Sequence, residues 1–264
     1  MLETTYTIAE NSIIANHLTY THPYLDKRSF RRHFNTDLEL IFFIRGNATY
    51  VIEDKKYKLN PGDLVIIRPS KYHYIQIDEN VEYERYNFLF PVSLIGRELY
   101  KNIPHETEVI SCKNDALIFD LFKKTDIYSM FGNEAFLDLF SGLMKELFYN
   151  LVYKRNEALS IPVSISPIVS RALEYINQNL YTIRDVEEIS SALFVTEAYF
   201  YRIFKEQLKI SPKKYITNKR LITAQRLIDK GERPTEVYQR CGFNTYTAFY
   251  KRYVEYFGHA PSDK

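Results

Sequence analysis

The chain has 264 residues, 45% apolar and 26% charged, which at about 150 residues per domain is enough for two ordinary cores. Its net charge is +2, it holds only two cysteines, and no apolar run approaches membrane-spanning length. With no basic-then-apolar leader at the start, these features exclude secreted disulfide frameworks and fibrous, transmembrane and disordered classes, and predict a cytoplasmic protein with no membrane partner.

The charge is unevenly spread. Residues 1–167 sum to −3 and residues 168–264 to +5. Between positions 202 and 220 seven basic residues accompany a single acid, Glu206. A basic C-terminal part predicts a polyanionic partner for that part.

From about residue 30 to residue 90, short β-rich segments alternate with turn chemistry. Leu38–Arg45, 48–53, 57–59, 64–68, 72–77 and Tyr83–Phe90 are rich in β-branched and aromatic residues. Asp54-Lys55-Lys56 reads as a hairpin tip. Asn60-Pro61-Gly62-Asp63 reads as a turn, because Pro presets φ and Gly accepts a positive φ. The spacing predicts a barrel or sandwich, and the absence of βαβ alternation counts against a doubly wound nucleotide-binding fold. Strand alternation puts Glu39, Ile41 and Phe43 on one face and Leu40, Phe42 and Ile44 on the other.

After Pro91 the pattern becomes helical. Segments 116–124 and 136–154 carry apolar residues at three- and four-residue spacing. In the second, Phe136, Leu139, Phe140, Leu143, Met144, Leu147, Phe148 and Leu151 form a stripe suited to the barrel or to a second subunit. Segment 160–167, SIPVSISP, has no periodicity and reads as a linker between a domain at 1–159 and one at 168–264.

The rest is helical. A helix at 168–179 precedes one carrying Val186, Ile189 and Leu193, and Thr196 is a candidate N-cap for a third. Ser211-Pro212 starts a long helix that ends at Gly231, Pro234 opens a short one, and 245–257 forms the last. Two helix-turn-helix units follow, at about 186–207 and 234–257, joined by the long helix. Phe200/Phe204 and Phe249/Tyr253 mark the buried faces of their second helices. Arg202 and Lys251 share an outward register.

Residues 168–264 resemble the DNA-binding domain of the AraC/XylS family of bacterial transcription regulators. The residues that carry the resemblance are YFYRIFK at 199–205, SPKKYI at 211–216, RLITAQRL at 220–227, CGFN at 241–244 and FGHAP at 257–261. The sequence departs from the pattern at Tyr238, where a small residue is usual, and at Lys209-Ile210, which replace a glycine. Outward residues near the start of each recognition helix are the candidates for base readout in the major groove: Glu197, Ala198, Tyr199, Tyr201 and Arg202, then Thr245, Tyr246, Thr247, Tyr250 and Lys251. Lys205, Lys213, Lys214 and Lys219 are the candidates for phosphate neutralisation.

In the strand region, His33, Glu39 and Gly46, followed by Gly62, Pro69 and His73, resemble the two motifs of the cupin barrel. Cupin-like barrels are the common sensory domain of the AraC family. The resemblance therefore implies an α+β, two-domain chain: an N-terminal cupin-like β-barrel with appended helices and a C-terminal all-α domain. Arg31, His33, Glu39 and His73 are the candidate effector-binding residues, and a sugar is the expected effector. Metal-binding cupins hold a divalent ion at such positions, but Arg31 replaces one histidine, so neither metal nor cofactor is expected. No nucleophile motif or phosphate-binding glycine loop is present, and no catalytic residue is expected. The implied function is a sequence-specific, effector-responsive activator of transcription, a homodimer acting on promoter DNA with RNA polymerase. The alternative is a metal-dependent cupin enzyme with a helical appendage.

Overall fold

The computed structural model describes residues 2–20, 33–77, 82–103, 107–153, 163–164 and 166–262. Arg31 and positions 160–162 and 165 of the expected linker lie outside the described residues. Contacts divide the chain into two compact units, one of Met1–Ile52 with Lys56–Pro162 and one of Glu53–Lys55 with Val163–Lys264.

In the first unit an antiparallel sheet runs in the order β1 (Leu2–Glu10), β2 (Ile13–Tyr20), β8 (Tyr83–Phe90), β3 (Leu38–Arg45), β6 (Asp63–Ile67), β9 (Val109–Ser111). In a second sheet β5 (Lys55–Lys58), β4 (Ala48–Ile52) and β7 (His73–Ile77) pair in that order. The expected strands are all present, but the hairpin tip lies at Glu53 and Asp54, and Lys55 and Lys56, expected in the tip, already belong to β5. The β1–β2 hairpin was not anticipated: its signal is the turn at Asn11 and Ser12, both at positive φ (50° and 63°), the conformation that joins tightly paired strands.

The alternation expected for β3 sorts the residues as read. Ile41 and Phe43 face the inter-sheet core with Tyr50, Ile52, Val65, Ile67 and Tyr83. Leu40 and Phe42 face the opposite way, toward α1 (Arg97–Lys101), α2 (Ala116–Tyr128) and α3 (Asn133–Tyr153). Phe42 stacks on Phe122 at 4.3 Å between ring centroids, and Phe88 meets Phe140 edge-on at 5.1 Å. Most of the stripe on α3 is thus covered by its own chain's sheet, while Leu139 stays exposed. Gly62 is required at the turn before β6: its φ is +88°, and an added Cβ would lie 2.7 Å from the Lys113 backbone.

In the second unit α4 (Pro167–Asn179), α5 (Val186–Ala192), α6 (Glu197–Leu208), α7 (Pro212–Asp229), α8 (Pro234–Arg240) and α9 (Tyr246–Phe257) follow the expected order. Four of them start on side-chain caps: Asp185 accepts from the Glu188 amide, Thr196 from Tyr199, Ser211 from Lys214 and Thr245 from Ala248. Phe200, Phe204, Phe249 and Tyr253 are buried as expected, while Ile203 and Phe257 are half-buried.

One polar cluster fastens α2 to the sheet. His17 on β2 lies between Asp126 (Nδ1 to Oδ1, 3.0 Å) and Glu84 (Nε2 to Oε1, 2.9 Å), stacked on the Tyr86 ring, whose hydroxyl donates to Asp126. Burial disfavours a charged imidazole, but the bonds to Asp126 and Glu84 outweigh it and raise the pKa above its ordinary value. A raised folded pKa stabilises the fold fully below about pH 6.5, and that stabilisation is lost as pH rises through the folded value. Thermal midpoints measured from about pH 6 to about pH 9 should fall in the wild type. The fall should be smaller in His17→Gln, and an identical profile in both would remove His17 as its source.

Candidate nucleic-acid interface and barrel interior

The two helix-turn-helix units are held by one side chain on the helix that joins them. Arg220, midway along α7, donates from Nε to the Leu180 carbonyl (2.8 Å), from Nη2 to Ile183 (2.7 Å) and from Nη1 to Gly242 (2.8 Å). Leu180 and Ile183 precede the first unit, and Gly242 is the turn of the second. Gly242 has φ +79°, and a Cβ there would lie 2.7 Å from the Tyr181 carbonyl and 2.9 Å from the guanidinium carbon. The arginine can reach that carbonyl because the turn carries no side chain.

On α6, Glu197, Ala198, Tyr199, Tyr201, Arg202 and Lys205 are all exposed. Arg202 lies over the Tyr199 ring at 5.6 Å, and Lys205 over the Tyr201 ring at 6.0 Å. Aromatic faces under both cations limit their freedom while leaving the charged ends in solvent. On the second unit Thr245, Thr247, Tyr250 and Lys251 are exposed, though the Thr245 hydroxyl is used as the N-cap of α9.

Two expected contacts are corrected. Tyr246 is half-buried, its ring packed against Tyr238 and Phe249, because the large Tyr238 fills the space beneath it. Lys219 is buried: its ammonium donates to Asn177 Oδ1 (2.6 Å) and the Tyr215 hydroxyl (3.3 Å), which takes it out of reach of a phosphate. Lys213 and Lys214 are exposed and line a surface hollow of about 360 Å³ together with Arg252 and Glu255. Arg252 was not singled out from sequence, since only the packing of α9 on α7 brings it beside those lysines. Phe194, in the turn before α6, is 91% exposed at φ +57°, a backbone conformation that costs a bulky residue about 1–2 kcal/mol.

In the first unit, His33, Glu39 and His73 come together, as the resemblance to the cupin motifs implied. His33 pairs with His73 by two backbone hydrogen bonds of 3.1 Å, and the two rings meet edge-on at 4.4 Å. Glu39 and His73 are buried, with Glu39 Oε2 2.9 Å from His73 Nε2. Burial raises the Glu39 pKa, but the nearby His73, His33 and Arg85 outweigh it and bring it below the usual value. The buried inner face also holds Tyr50, Tyr83 and Arg85, with the partnerless amide oxygens of Asn16 and Asn87.

The chain thus pairs a helical unit of two helix-turn-helix motifs with a strand unit whose interior is polar, and its class follows from the families it matches. Residues 17–124 match the family described as an AraC-like ligand binding domain, and residues 189–264 match a helix-turn-helix domain family. The chain belongs to the AraC family of transcription regulators. It is 36% identical over 89 residues to the probable transcriptional regulator LumQ of Photobacterium leiognathi, covering 33% of this chain and 36% of that protein. It is 24% identical over 197 residues to the raffinose operon transcriptional regulatory protein RafR of Pediococcus pentosaceus, covering 74% of this chain and 67% of that one. The crystal structure of ToxT from Vibrio cholerae O395 aligns over 96% of both chains at 14% identity, with a TM-score of 0.39. These relatives are regulators rather than enzymes. No helix among the described residues is long and apolar enough to cross a membrane.

Lysine cannot serve three divergent carbonyls at once, whereas the guanidinium fork does. Arg220→Lys should therefore lower stability by about 3 kcal/mol, with two carbonyls left unserved at about 1.5 kcal/mol each. Urea denaturation checks this, and a loss within error of zero would remove Arg220 as the clamp.

Proposed function

We propose that the protein is a sequence-specific regulator, most simply an activator, that binds promoter DNA in the cytoplasm as a homodimer and responds to a small effector held in the barrel. The observation that carries the reading is the pair of exposed recognition surfaces, Tyr199, Tyr201 and Arg202 on one unit and Thr247, Tyr250 and Lys251 on the other, on units clamped by a single arginine. Two such helices on one connecting helix suit successive major grooves on one face of the duplex, about 10 bp apart. Arg202 reads guanine through its paired donors, and Lys205, Lys213 and Lys214 neutralise phosphates.

The effector reading rests on a buried inner surface that mixes Glu39 and Arg85 with Tyr50, Tyr83, Asn16 and Asn87. Such a surface of donors and acceptors beside aromatic rings suits a polyhydroxylated ligand such as a sugar. The raffinose-operon name of one relative points the same way. Ligand binding controls the protein only if it favours one arrangement of the domains over another. Self-association is supported by apolar side chains that α2, α3 and the turn between them leave exposed, Ile127, Met130 and Phe131 among them. RNA polymerase is the partner through which an activator acts.

Mobility shifts on the DNA upstream of the gene and on scrambled DNA, across a salt series, test this reading. Arg202→Ala should lower the preference for the upstream DNA by about 1–3 kcal/mol. Lys213→Ala with Lys214→Ala should weaken binding to both DNAs alike and flatten the salt dependence by about one unit per lysine. Equal, steeply salt-dependent binding of the wild type to both DNAs would reduce the interface to a basic surface and overturn the assignment.

A further inference from the structure

We propose that the hollow between α7 and α9 is a binding site for a phosphate ester. The site deepens the assignment of Lys213 and Lys214 to phosphate and rests on that reading, but it uses none of the base-readout residues.

The hollow holds about 360 Å³ and lies within the helical unit. A single phosphate occupies part of that volume, which falls in the range of about 300–1,000 Å³ that takes small organic ligands. Lys213 and Lys214 reach it from α7 and Arg252 from α9, against one acid, Glu255. All four are exposed, and none forms an ion pair or side-chain hydrogen bond among the described residues. Arg252 and Glu255 stand three apart on one helix, where opposite charges commonly pair, yet they do not close on each other. Three cations against one acid leave two positive charges, which match the roughly −1.5 to −2 of a phosphate monoester near pH 7.

Charge alone describes any basic surface. The neutral side chains make this hollow a site. Thr217 and Asn218 line it, half-buried, with no partner among the described residues. Comparable side chains in the same unit are engaged: Thr223 donates to the Lys219 carbonyl and Asn179 to the Tyr175 carbonyl, each four residues back. Thr217 and Asn218 forgo that bond, so a hydroxyl and an amide are left to serve a guest. Backbone donors add little, because Pro212 has no N–H and Ser211 Oγ takes the Lys214 amide at 3.3 Å. A hydroxyl, an amide, a guanidinium fork and two ammonium groups around one volume outnumber the two oxygens of a carboxylate. They suit the three free oxygens of a phosphate monoester.

The phosphate has two sources, a small phosphorylated molecule or the DNA backbone, and separate probes distinguish them. Full-length protein is titrated at constant ionic strength with glycerol 3-phosphate by calorimetry, and with a scrambled duplex of about two helical turns by mobility shift. Arg252→Ala, Thr217→Val and Asn218→Leu should each weaken glycerol 3-phosphate binding roughly ten-fold, the effect of losing one hydrogen bond to a charged group. Glu255→Gln should tighten it, and Lys230→Ala, an equal loss of charge at the other end of α7, should leave it unchanged. Where DNA supplies the group, the first three variants weaken duplex binding by a like factor and glycerol 3-phosphate does not bind. Thr217→Val and Asn218→Leu keep every charge, so a merely basic surface is indifferent to them. Wild-type affinity for both probes in these two variants, folded by circular dichroism, or in the exposed-site variants Arg252→Ala and Glu255→Gln, overturns the site. So does a wild type that binds neither probe. The preference for upstream over scrambled DNA is measured alongside, and its absence counts against base readout while leaving the result for the hollow standing.

Discussion

The helical unit is built around one half-buried cation that meets three backbone carbonyls. Arg220 sits where α7 passes both helix-turn-helix units, and its fork serves the carbonyls of Leu180, Ile183 and Gly242 together. Each of these oxygens belongs to an irregular segment that no helix ladder satisfies, so without the guanidinium they would be left unpaired among packed helices. The clamp also requires Gly242, because any side chain there would collide with the arginine and with the Tyr181 carbonyl. The contact ties the segment before α5 and the turn between α8 and α9 to α7, the helix that joins the two units.

The strand unit follows a different rule. Its large sheet is apolar on both faces, but what the faces meet differs. One is sealed by α1, α2 and α3 through stacked phenylalanines. The other closes on the second sheet and admits Glu39, His73 and Arg85 among tyrosines and aliphatic residues. Charged groups at such burial persist only where partners offset the loss of hydration. Concentrating them on the inner face gives the strand unit a polar interior beside its aromatic rings.

Lys219 and Tyr246 mark the limit of reading an interface from sequence. Lys219 belongs to a run of basic residues, and on charge alone it is equivalent to Lys213 and Lys214. Helical phase on α7 turns it toward Tyr215 and Asn177 instead. Tyr246 sits at the start of a recognition helix, where side chains commonly face the groove, but the bulky Tyr238 draws its ring inward. Arg252 gained its place for the converse reason, through packing between helices distant in sequence.

Local chemistry was legible from the residues alone. Period-two and helical patterning, Pro61-Gly62, the Ser211-Pro212 start and the Thr196 and Thr245 caps act within a few residues, so the strands, helices and paired helix-turn-helix units can be read directly. The resemblance to the cupin motifs also grouped His33, Glu39 and His73, which the structure brings together. The tertiary structure alone decided which cations are exposed, that Arg220 is a clamp, and that most of the α3 stripe is covered by its own sheet. Those outcomes depend on which surfaces meet across long stretches of chain, and neither charge nor periodicity at a single position encodes them.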